Sequence, residues 1–475
     1  MADKNEFQRF ASPNELRNVV REDLGIFYAV IVAAIYDVEN GVDVSTPASF
    51  FAPLRRCIEK HPQLCVTVGD MHALKPFYQR VPVINLKDHI FILDTTGDDG
   101  YSGIEKFLAT DLDQPFKSGI PPWRISVIPY RGRCFVSFAY SHTIGDGTSG
   151  AAFHRTFLEG WRSLPPSESA EPEVVETPAR PFPPPFDTAQ RLPISLSFML
   201  APILSLILPT SIYNWLDLRS PASPGDKGTF QGSLVFMPEP DRSATQLSLQ
   251  EIDANTLQNA INVARKHDAK LTGVLHQVIV RALSRAVQDS NITNFVSQTP
   301  LNLRRAIGAS DDEMGNFVSA SYLRHPKTEP SEEFSEEEWA RAREDTRRLA
   351  QDAATLQDQP IGLLRLLPNI RSWILGKVGK GRECSYELSN IGSFDSGDSQ
   401  AIGQGTRAKV TKVVFTQPGH VIGQSLAFSF AAVKGGSLMY TVTWKLGSTG
   451  LTDDEERKFV EGICASIRKD LEHLM

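Results

Sequence analysis

Continuous apolar runs in the first third of the chain predict buried strands. Residues 24–36, LGIFYAVIVAAIY, are β-branched and aromatic throughout, which is the composition of a strand buried on both faces. Two further strands are predicted at residues 124–130 and 134–141. The Arg-Gly-Arg segment between them indicates a hairpin.

Helical spacing follows these strands and recurs in the second half of the chain. Residues 48–60 and 148–164 are predicted helices, and in the second of these Phe153, Phe157 and Trp161 recur every four residues on one stripe. Thr452 and Glu455 form a capping box that opens the last helix. The remaining predicted elements are a strand near 232–237, helices at 255–267 and 272–288, a strand at 294–303, a charged helix at 331–355, and strands at 425–433 and 437–444.

Proline content marks a boundary between the two halves. Residues 165–185 contain eight prolines, too many for the interior of a helix or a sheet, so we predict an extended linker. A chain of 475 residues also exceeds what one core usually supports. We therefore expect an N-terminal subdomain at 1–164, a linker and apolar crossover at 165–230, and a C-terminal subdomain at 231–475.

The crossover contains an uncharged apolar segment, residues 192–208, interrupted by Pro193 and Pro202. A membrane span needs roughly 20 apolar residues, so this segment favours a helix packed on the main body. A peripheral contact with a membrane surface is the alternative.

Composition and charge narrow the classes of function. The chain has 49 basic and 56 acidic residues, a net charge of −7, and no long basic run, so no nucleic-acid partner is expected. The five cysteines contain no CxxC pair, which indicates reduced thiols. The charged N-terminus lacks the apolar region of a secretory signal, so the cytoplasm is the expected location, with a place beside an internal membrane as the alternative. A monomer is expected.

The strongest chemical candidate is His142, in the segment SHTIGDG between the strand at 134–141 and the following helix. A metal site would need a third ligand, and none lies nearby, so no metal is expected. The series Gly145, Gly147 and Gly150 matches GxGxxG, but the helix runs into the proline-rich segment and not into the second strand of a dinucleotide-binding unit.

General-base catalysis remains as the third interpretation of His142. A neutral imidazole with a pKa of ~6.5 can take a proton from a hydroxyl and return it near neutral pH. A buried structural histidine at a strand end is the alternative.

Several segments together resemble one known superfamily. The HxxxDG motif of His142, Asp146 and Gly147 is similar to that of the chloramphenicol acetyltransferase-like superfamily, which includes condensation domains and plant BAHD acyltransferases. Residues 9–10, 24–28, 61–64 (HPQL), 121–124 (PPWR), 183–186 and 389–392 (SNIG) resemble its fungal and yeast alcohol acetyltransferase branch. The plant branch is a poorer match, because a DFGWG segment is lacking.

The resemblance implies an α/β (α+β) fold of two chloramphenicol acetyltransferase-like subdomains, each a mixed sheet flanked by helices, which meet at a tunnel. It implies direct transfer, with His142 as the base that deprotonates the acceptor. Asp146 would be a structural residue paired with Arg304, in a segment where Asn302 replaces the usual aspartate. An N-cap of the following helix is the other interpretation of Asp146.

Two further groups are candidates within this implied site. Ser389 and Asn390 could donate hydrogen bonds to the tetrahedral oxyanion or contact the acceptor, and a polar turn at Gly392 is the alternative. Lys377, Lys380 and Arg382 could bind the phosphates of CoA, and solvated surface charge is the alternative.

The expected function is that of a CoA-dependent O-acyltransferase that moves an acetyl or other acyl group to a hydroxyl of a small, fairly apolar molecule, such as an alcohol or secondary metabolite. The acyl-CoA is then a co-substrate. A cyclase, isomerase or epimerase without CoA, an N-acyltransferase, and a non-catalytic binder on the same scaffold are the alternatives.

Overall fold

The computed structural model of the protein contains two main sheets, one of five strands and one of six strands. It describes residues 5–39, 42–93, 100–130, 133–163, 172–207, 224–236, 244–397 and 408–474. The elements of the first half are β1 (Glu6–Phe10), α1 (Pro13–Asp23), β2 (Ala29–Val38), α2 (Phe51–Lys60), β3 (Val66–Gly69), β4 (Phe77–Arg80), β5 (Val83–Asn85), β6 (Ile90–Ile92), α3 (Gly100–Leu112), β7 (Trp123–Tyr130), β8 (Arg133–Ser141), α4 (Gly147–Arg162), β9 (Val174–Glu176) and α5 (Leu196–Ile207).

The second half continues the mixture of strands and helices. Its elements are β10 (Thr245–Ile252), α6 (Ala254–Lys266), α7 (Leu271–Ala286), β11 (Asn294–Asn302), α8 (Arg304–Ile307), β12 (Val318–Pro326), α9 (Glu336–Ala354), α10 (Ile370–Leu375), β13 (Tyr386–Phe394), β14 (Ala408–Thr416), β15 (Leu426–Val433), β16 (Leu438–Lys445) and α11 (Asp453–Glu472). The mixed α/β class predicted from sequence is confirmed.

The five-stranded sheet has the order β14-β2-β8-β7-β6, and the six-stranded sheet has the order β10-β16-β15-β13-β11-β12. Strand β2 is buried along most of its length because it lies between β8 and β14, both antiparallel to it. In the second sheet, β13 runs parallel to both β11 and β15.

Strand β14 joins the two halves of the chain. It follows β13 in sequence, yet it pairs with β2 of the first sheet from Ala408 opposite Val38 to Thr416 opposite Ile31. It also remains linked to the second sheet, since Thr441 Oγ1 donates to the carbonyl of Phe415 at 3.0 Å. The first sheet is therefore completed by a strand from the C-terminal half.

Helix α4 packs directly on the first sheet. A Cβ atom at Gly150 would lie 2.3 Å from Val32 Cγ2, so the absence of a side chain allows this close approach. Phe153 stacks on Phe138 of β8 with ring centroids 3.7 Å apart. The helix and the end of β8 are thus fixed relative to each other.

Most of the predicted elements are confirmed, including the β7–β8 and β15–β16 pairs, helices α2, α4, α6, α7 and α9, and the capping box of Thr452 and Glu455. The predicted start of the first strand is wrong. Residue Leu24 caps α1 and Gly25 has a φ of 68°, so the chain turns there and β2 begins at Ala29.

Two other expectations need correction. The strand predicted near 232–237 is absent over the described residues 232–236, where Phe236 is 66% exposed and no strand pairing supports the backbone. The proline-rich segment is more than a linker, because Val174–Glu176 pairs with β5. Residues 164–171 of that segment lie outside the described residues, as do residues 208–223.

The apolar segment at 192–208 contains helix α5, on which Leu196 is 82% exposed and Leu200 is 55% exposed. Among the helices of the described ranges, none is long and apolar enough to cross a membrane. The predicted tunnel between the halves stays a prediction.

Candidate active site

His142 lies in the turn that connects the end of β8 to the start of α4. Its ring is half-buried, and its centroid lies 5.7 Å from that of Phe27, in the segment that leads into β2. The rigid packing of α4 on the sheet fixes this turn. The sequence therefore places an imidazole at a defined position on the edge of the first core.

Two asparagines from distant parts of the chain hold His142. Asn316 Oδ1 lies 2.9 Å from His142 Nδ1, and Asn316 Nδ2 donates to the carbonyl oxygen of His142 at 2.9 Å. Asn18 Nδ2, on α1, donates to the same carbonyl at 3.1 Å. Asn18 Nδ2 also lies 3.3 Å from Nδ1, but the shorter contact with the oxygen of Asn316 favours the neutral tautomer with the hydrogen on Nδ1 and the lone pair on Nε2.

The surroundings favour the neutral form of this ring. Burial, reinforced by the positive charges of Arg21 and Arg17, lowers the pKa of His142 to about 4. The imidazole is therefore unprotonated at neutral pH. In this tautomer the neutral ring has its free lone pair at Nε2, the atom that can accept a proton.

Asp146 and Arg304 form a buried ion pair below the turn. Arg304 Nη1 donates to Asp146 Oδ2 at 2.8 Å and Nη2 donates to Oδ1 at 3.0 Å, with both side chains at most 1% exposed. Asp146 also caps α4, since its carboxylate accepts from the backbone N–H of Ser149 at 3.0 Å. The two interpretations of Asp146 from sequence, ion-pair partner and N-cap, are both present in the contacts.

The carboxylate of Asp146 also accepts a hydrogen bond from the segment that follows Asn316. The backbone N–H of Phe317 donates to Oδ2 at 3.0 Å, which ties the turn to the segment that carries Asn316. Asn302, in place of the usual aspartate, accepts from the backbone N–H of Arg304 at 3.0 Å. The carboxylate oxygens of Asp146 thus accept hydrogen bonds from several groups of the turn and its neighbours. None of these contacts directs an oxygen toward a reacting group.

Gly147 allows the two halves to meet at the start of α4. A Cβ atom at this position would lie 2.9 Å from Ile391 Cγ2 of β13 and 2.9 Å from Phe415 Cζ of β14. The SNIG segment, which contains Ile391, therefore lies against the HxxxDG turn.

Ser389 and Asn390 are engaged in local contacts. The Ser389 hydroxyl donates to Glu387 Oε1 at 2.9 Å and the residue is buried. Asn390 Oδ1 accepts from the backbone N–H of Gly392 at 2.8 Å, where Gly392 has a φ of 81°. These contacts match the polar turn that was the alternative interpretation.

The three basic residues predicted to bind CoA phosphates do not form one patch. Arg382 is only 3% exposed and donates to the backbone carbonyls of Ser233, His420 and Gln424, so its enclosed guanidinium supports loops instead of facing a phosphate at the surface. Lys377 pairs with Glu383 and lies 3.7 Å from the ring centroid of Trp373. Lys380 is exposed.

Sequence reasoning missed several residues around His142. Arg17 and Arg21 lie one turn apart on α1, and the guanidinium carbon of Arg21 lies 4.3 Å from the ring centroid of Phe27. His420 contacts the same ring, with centroids 5.4 Å apart. The spacing of the two arginines is visible in the sequence, but nothing in it indicates that their helix packs beside His142.

The described residues contain no group of three or more His, Cys, Asp or Glu side chains arranged to hold a metal ion.

The mixed sheets and their flanking helices form a chloramphenicol acetyltransferase-like fold. The alcohol acetyltransferase family model matches residues 54–461, and the chain belongs to that family. It is similar to the probable alcohol acetyltransferase crmB of Aspergillus fumigatus, with 23% identity over 343 residues that cover 69% of this chain and 68% of that protein. The chain is therefore an acyltransferase.

Solved structures share the fold at low identity. The TRI3 trichothecene 15-O-acetyltransferase from Fusarium sporotrichioides superposes with a TM-score of 0.68 and 13% identity, over 98% of this chain and 94% of that one. The starter condensation domain of rhizomide synthetase RzmA, solved in complex with C8-CoA and Leu-SNAC, has a TM-score of 0.58 and 14% identity, over 99% and 96% of the two chains.

Proposed function

We propose that the protein is a CoA-dependent O-acyltransferase, in which His142 is the general base that activates a hydroxyl of a small-molecule acceptor. The observation that carries this proposal is the hydrogen bond of His142 Nδ1 with Asn316 Oδ1 at 2.9 Å. This short contact supports a lone pair at Nε2, in an imidazole whose pKa is lowered to about 4 by burial and by two arginines.

The proposed reaction proceeds by direct transfer. Nε2 of His142 takes the proton of the acceptor hydroxyl while the oxygen attacks the carbonyl carbon of the thioester. The tetrahedral intermediate then expels the CoA thiolate as the carbon–sulfur bond breaks. The imidazolium returns its proton to the thiolate, which regenerates the neutral ring and releases CoA.

Asn316 supports the charged stage of this cycle. When the imidazole becomes positive, its Nδ1–H donates to the amide oxygen of Asn316 and the charge is partly balanced by that dipole. Asp146 and Arg304 keep the turn in place and undergo no chemical change.

Acyl-CoA, with acetyl-CoA as the first candidate, is the proposed donor. Membership of the alcohol acetyltransferase family supports an acetyl donor, and the CoA complex of a fold relative supports CoA as the carrier. Lys377 and Lys380 remain our candidates for phosphate contacts. Ser389 and Asn390 remain candidates for the oxyanion, in which case each exchanges a present local contact for the substrate.

The test is to incubate the protein with acetyl-CoA and a panel of alcohols and amines, and to follow CoA release and product mass. We expect acetylated alcohols, formed in equal amounts with CoA. A product of unchanged mass without CoA release would indicate an isomerase or cyclase, and acetylated amines alone would indicate an N-acyltransferase. A cytoplasmic monomer is the form in which we expect the protein to act.

A further inference from the structure

Beside His142 two half-buried arginines, Arg17 and Arg21, lack an ion-pair partner in the described part of the chain. Arg17 and Arg21 project from adjacent turns of α1, and within the described residues neither guanidinium forms an ion pair. The Nε atom of each is buried and has no hydrogen-bond partner. A buried N–H donor without an acceptor is costly to a fold, so the presence of two of them side by side calls for an explanation.

A third unsatisfied donor lies in the same place. Arg21 Nη2 lies 3.4 Å from His420 Nδ1, and because a guanidinium can only donate, Nδ1 must accept and His420 Nε2 must carry the hydrogen. His420 is 8% exposed, and its Nε2 atom is buried without a partner. Its Nε2–H is therefore a buried donor that lacks an acceptor.

Arg382 adds a fourth donor close to His420. Its Nη1 donates to the backbone carbonyl of His420 at 2.9 Å, while its Nη2 is buried without a partner. The nearby acid, Glu387, accepts from Gln424 and Ser389 at 2.8 and 2.9 Å and not from the arginines. Glu387 therefore acts on the two arginines only through space, with no hydrogen bond to either.

Two of the residues that carry these donors, Arg21 and His420, are separated from the proposed base by the ring of Phe27. The ring of Phe27 contacts the guanidinium of Arg21 on one side, and its centroid lies 5.7 Å from that of His142 and 5.4 Å from that of His420. The phosphates of an acyl-CoA lie at the far end of its pantetheine arm when the thioester is at His142. An anion at this cluster therefore belongs to the acceptor or to the acyl group.

We propose that Arg17, Arg21 and His420 bind a carboxylate carried by one of the two reactants, either the acceptor as a hydroxy acid or the acyl group as a dicarboxylic monothioester. Arginine donors suit a carboxylate because their N–H groups match its two oxygens. Asn18 Oδ1, a buried acceptor without a partner beside His142, suits the hydroxyl end of such a ligand. This inference rests on the proposed function and narrows its substrate class.

Ligand binding to the wild-type protein tests whether a carboxylate on the ligand increases its affinity, with no acyl transfer needed. In the first arm, mandelate, salicylate and 3-hydroxydecanoate are each compared with their methyl esters by calorimetry in the absence of CoA. In the second arm, succinyl-CoA and malonyl-CoA are compared with butyryl-CoA and propionyl-CoA in the absence of acceptor. We expect the anionic member to bind on the order of 10-fold tighter in one arm, which identifies the reactant.

The arginine variants test the assignment to residues. Arg17→Gln and Arg21→Gln should each reduce the preference for the anion, and the double variant should bring it close to unity. Arg347→Gln, at an exposed pair on α9, should keep the full preference. An anion preference that persists in the double variant, or that is absent from both arms in the wild type, would overturn the proposal.

Thermal denaturation separates binding from a structural role. Removing a half-buried charge that has no ion-pair partner among the described residues should leave the Tm of Arg17→Gln and Arg21→Gln equal to or above that of the wild type. A marked fall in Tm would assign the arginines to the fold and overturn the proposal. If the anion binds but no acyl transfer occurs with any pair, the proposed function fails while the carboxylate site stands.

Discussion

At the scale of single residues, the chemistry depends on how His142 is held. Asn316 fixes the tautomer, and burial with two nearby arginines lowers the pKa to about 4. The active form is the neutral ring, so the unprotonated fraction falls only as the pH drops through about 4. We expect kcat/KM to stay level on its acid side down to about pH 5, checked in a pH profile with circular dichroism as the control for folding. A fall in kcat/KM near pH 6.5, the unperturbed pKa of histidine, would contradict the lowered pKa of His142.

Asn316 is a positioning residue, and the dependence of kcat/KM on pH also tests its role. Asn316→Asp places a carboxylate beside Nδ1–H, which favours the protonated ring and should move the acid limb upward by about 1 to 3 pH units. Asn316→Ala should lower kcat by roughly 10-fold or more, since the ring loses its orienting acceptor. Asn262→Asp, at an exposed position on α6, should leave the limb unchanged.

Residues of the site could be predicted from sequence where they lie close together along the chain. His142, Asp146 and Gly147 form one turn between a buried strand and a helix, and the match of LNLRR to the family pattern identified Arg304 as the candidate partner that the structure places against Asp146. Asn18, Asn316 and His420 come from distant segments that meet only after folding. No local pattern marks such residues.

At the scale of elements, α4 depends on the buried pair of Asp146 and Arg304. Asp146→Asn removes one charge and leaves the guanidinium of Arg304 unpaired, which should cost about 3 kcal/mol or more in the free energy of unfolding and lower activity with it. Urea denaturation at pH 7 measures the loss. The double variant with Arg304→Met should lose less than the sum of the two single losses. Lost activity in a fully stable Asp146→Asn protein would instead indicate a direct chemical role.

The packing of α4 on the sheet gives a second test. Gly150→Ala places a methyl group 2.3 Å from Val32 Cγ2, so the helix must shift, and we expect a loss of roughly 1 to 3 kcal/mol. Gly462→Ala in α11 is the matched control, because nothing lies within 4 Å of its Cβ position. That control should gain roughly 0.5 to 1 kcal/mol. Equal effects in both variants would show that close approach is not what requires Gly150.

Elements whose apolar residues recur at a regular spacing were predicted from sequence, and short or amphipathic elements were missed. Helix α4 and the β7–β8 hairpin carry clear patterns and lie where predicted. The start of β2 was misplaced because the apolar run continues through the turn at Gly25, whose φ of 68° follows the end of α1. Strand β14 carries two lysines among its apolar residues, so its place in the first sheet depends on tertiary pairing.

At the scale of the whole molecule, β14 makes the two halves depend on each other. Residues 1–230 alone would leave the edge of β2 unpaired, and residues 231–475 alone would carry β14 without its partner. We expect each fragment to aggregate or to lack a cooperative transition, whereas the full chain unfolds in one transition by calorimetry. Two fragments that fold separately and unfold cooperatively would contradict this dependence.

The central claim, that Nε2 of His142 is the base for acyl transfer, is tested most directly by the rate of acetyl-CoA-dependent acylation in His142→Ala. The account predicts a rate at least ~100-fold below that of the wild type, in a protein with an unchanged far-ultraviolet spectrum. Acylation by this variant at the rate of the wild type would contradict the account.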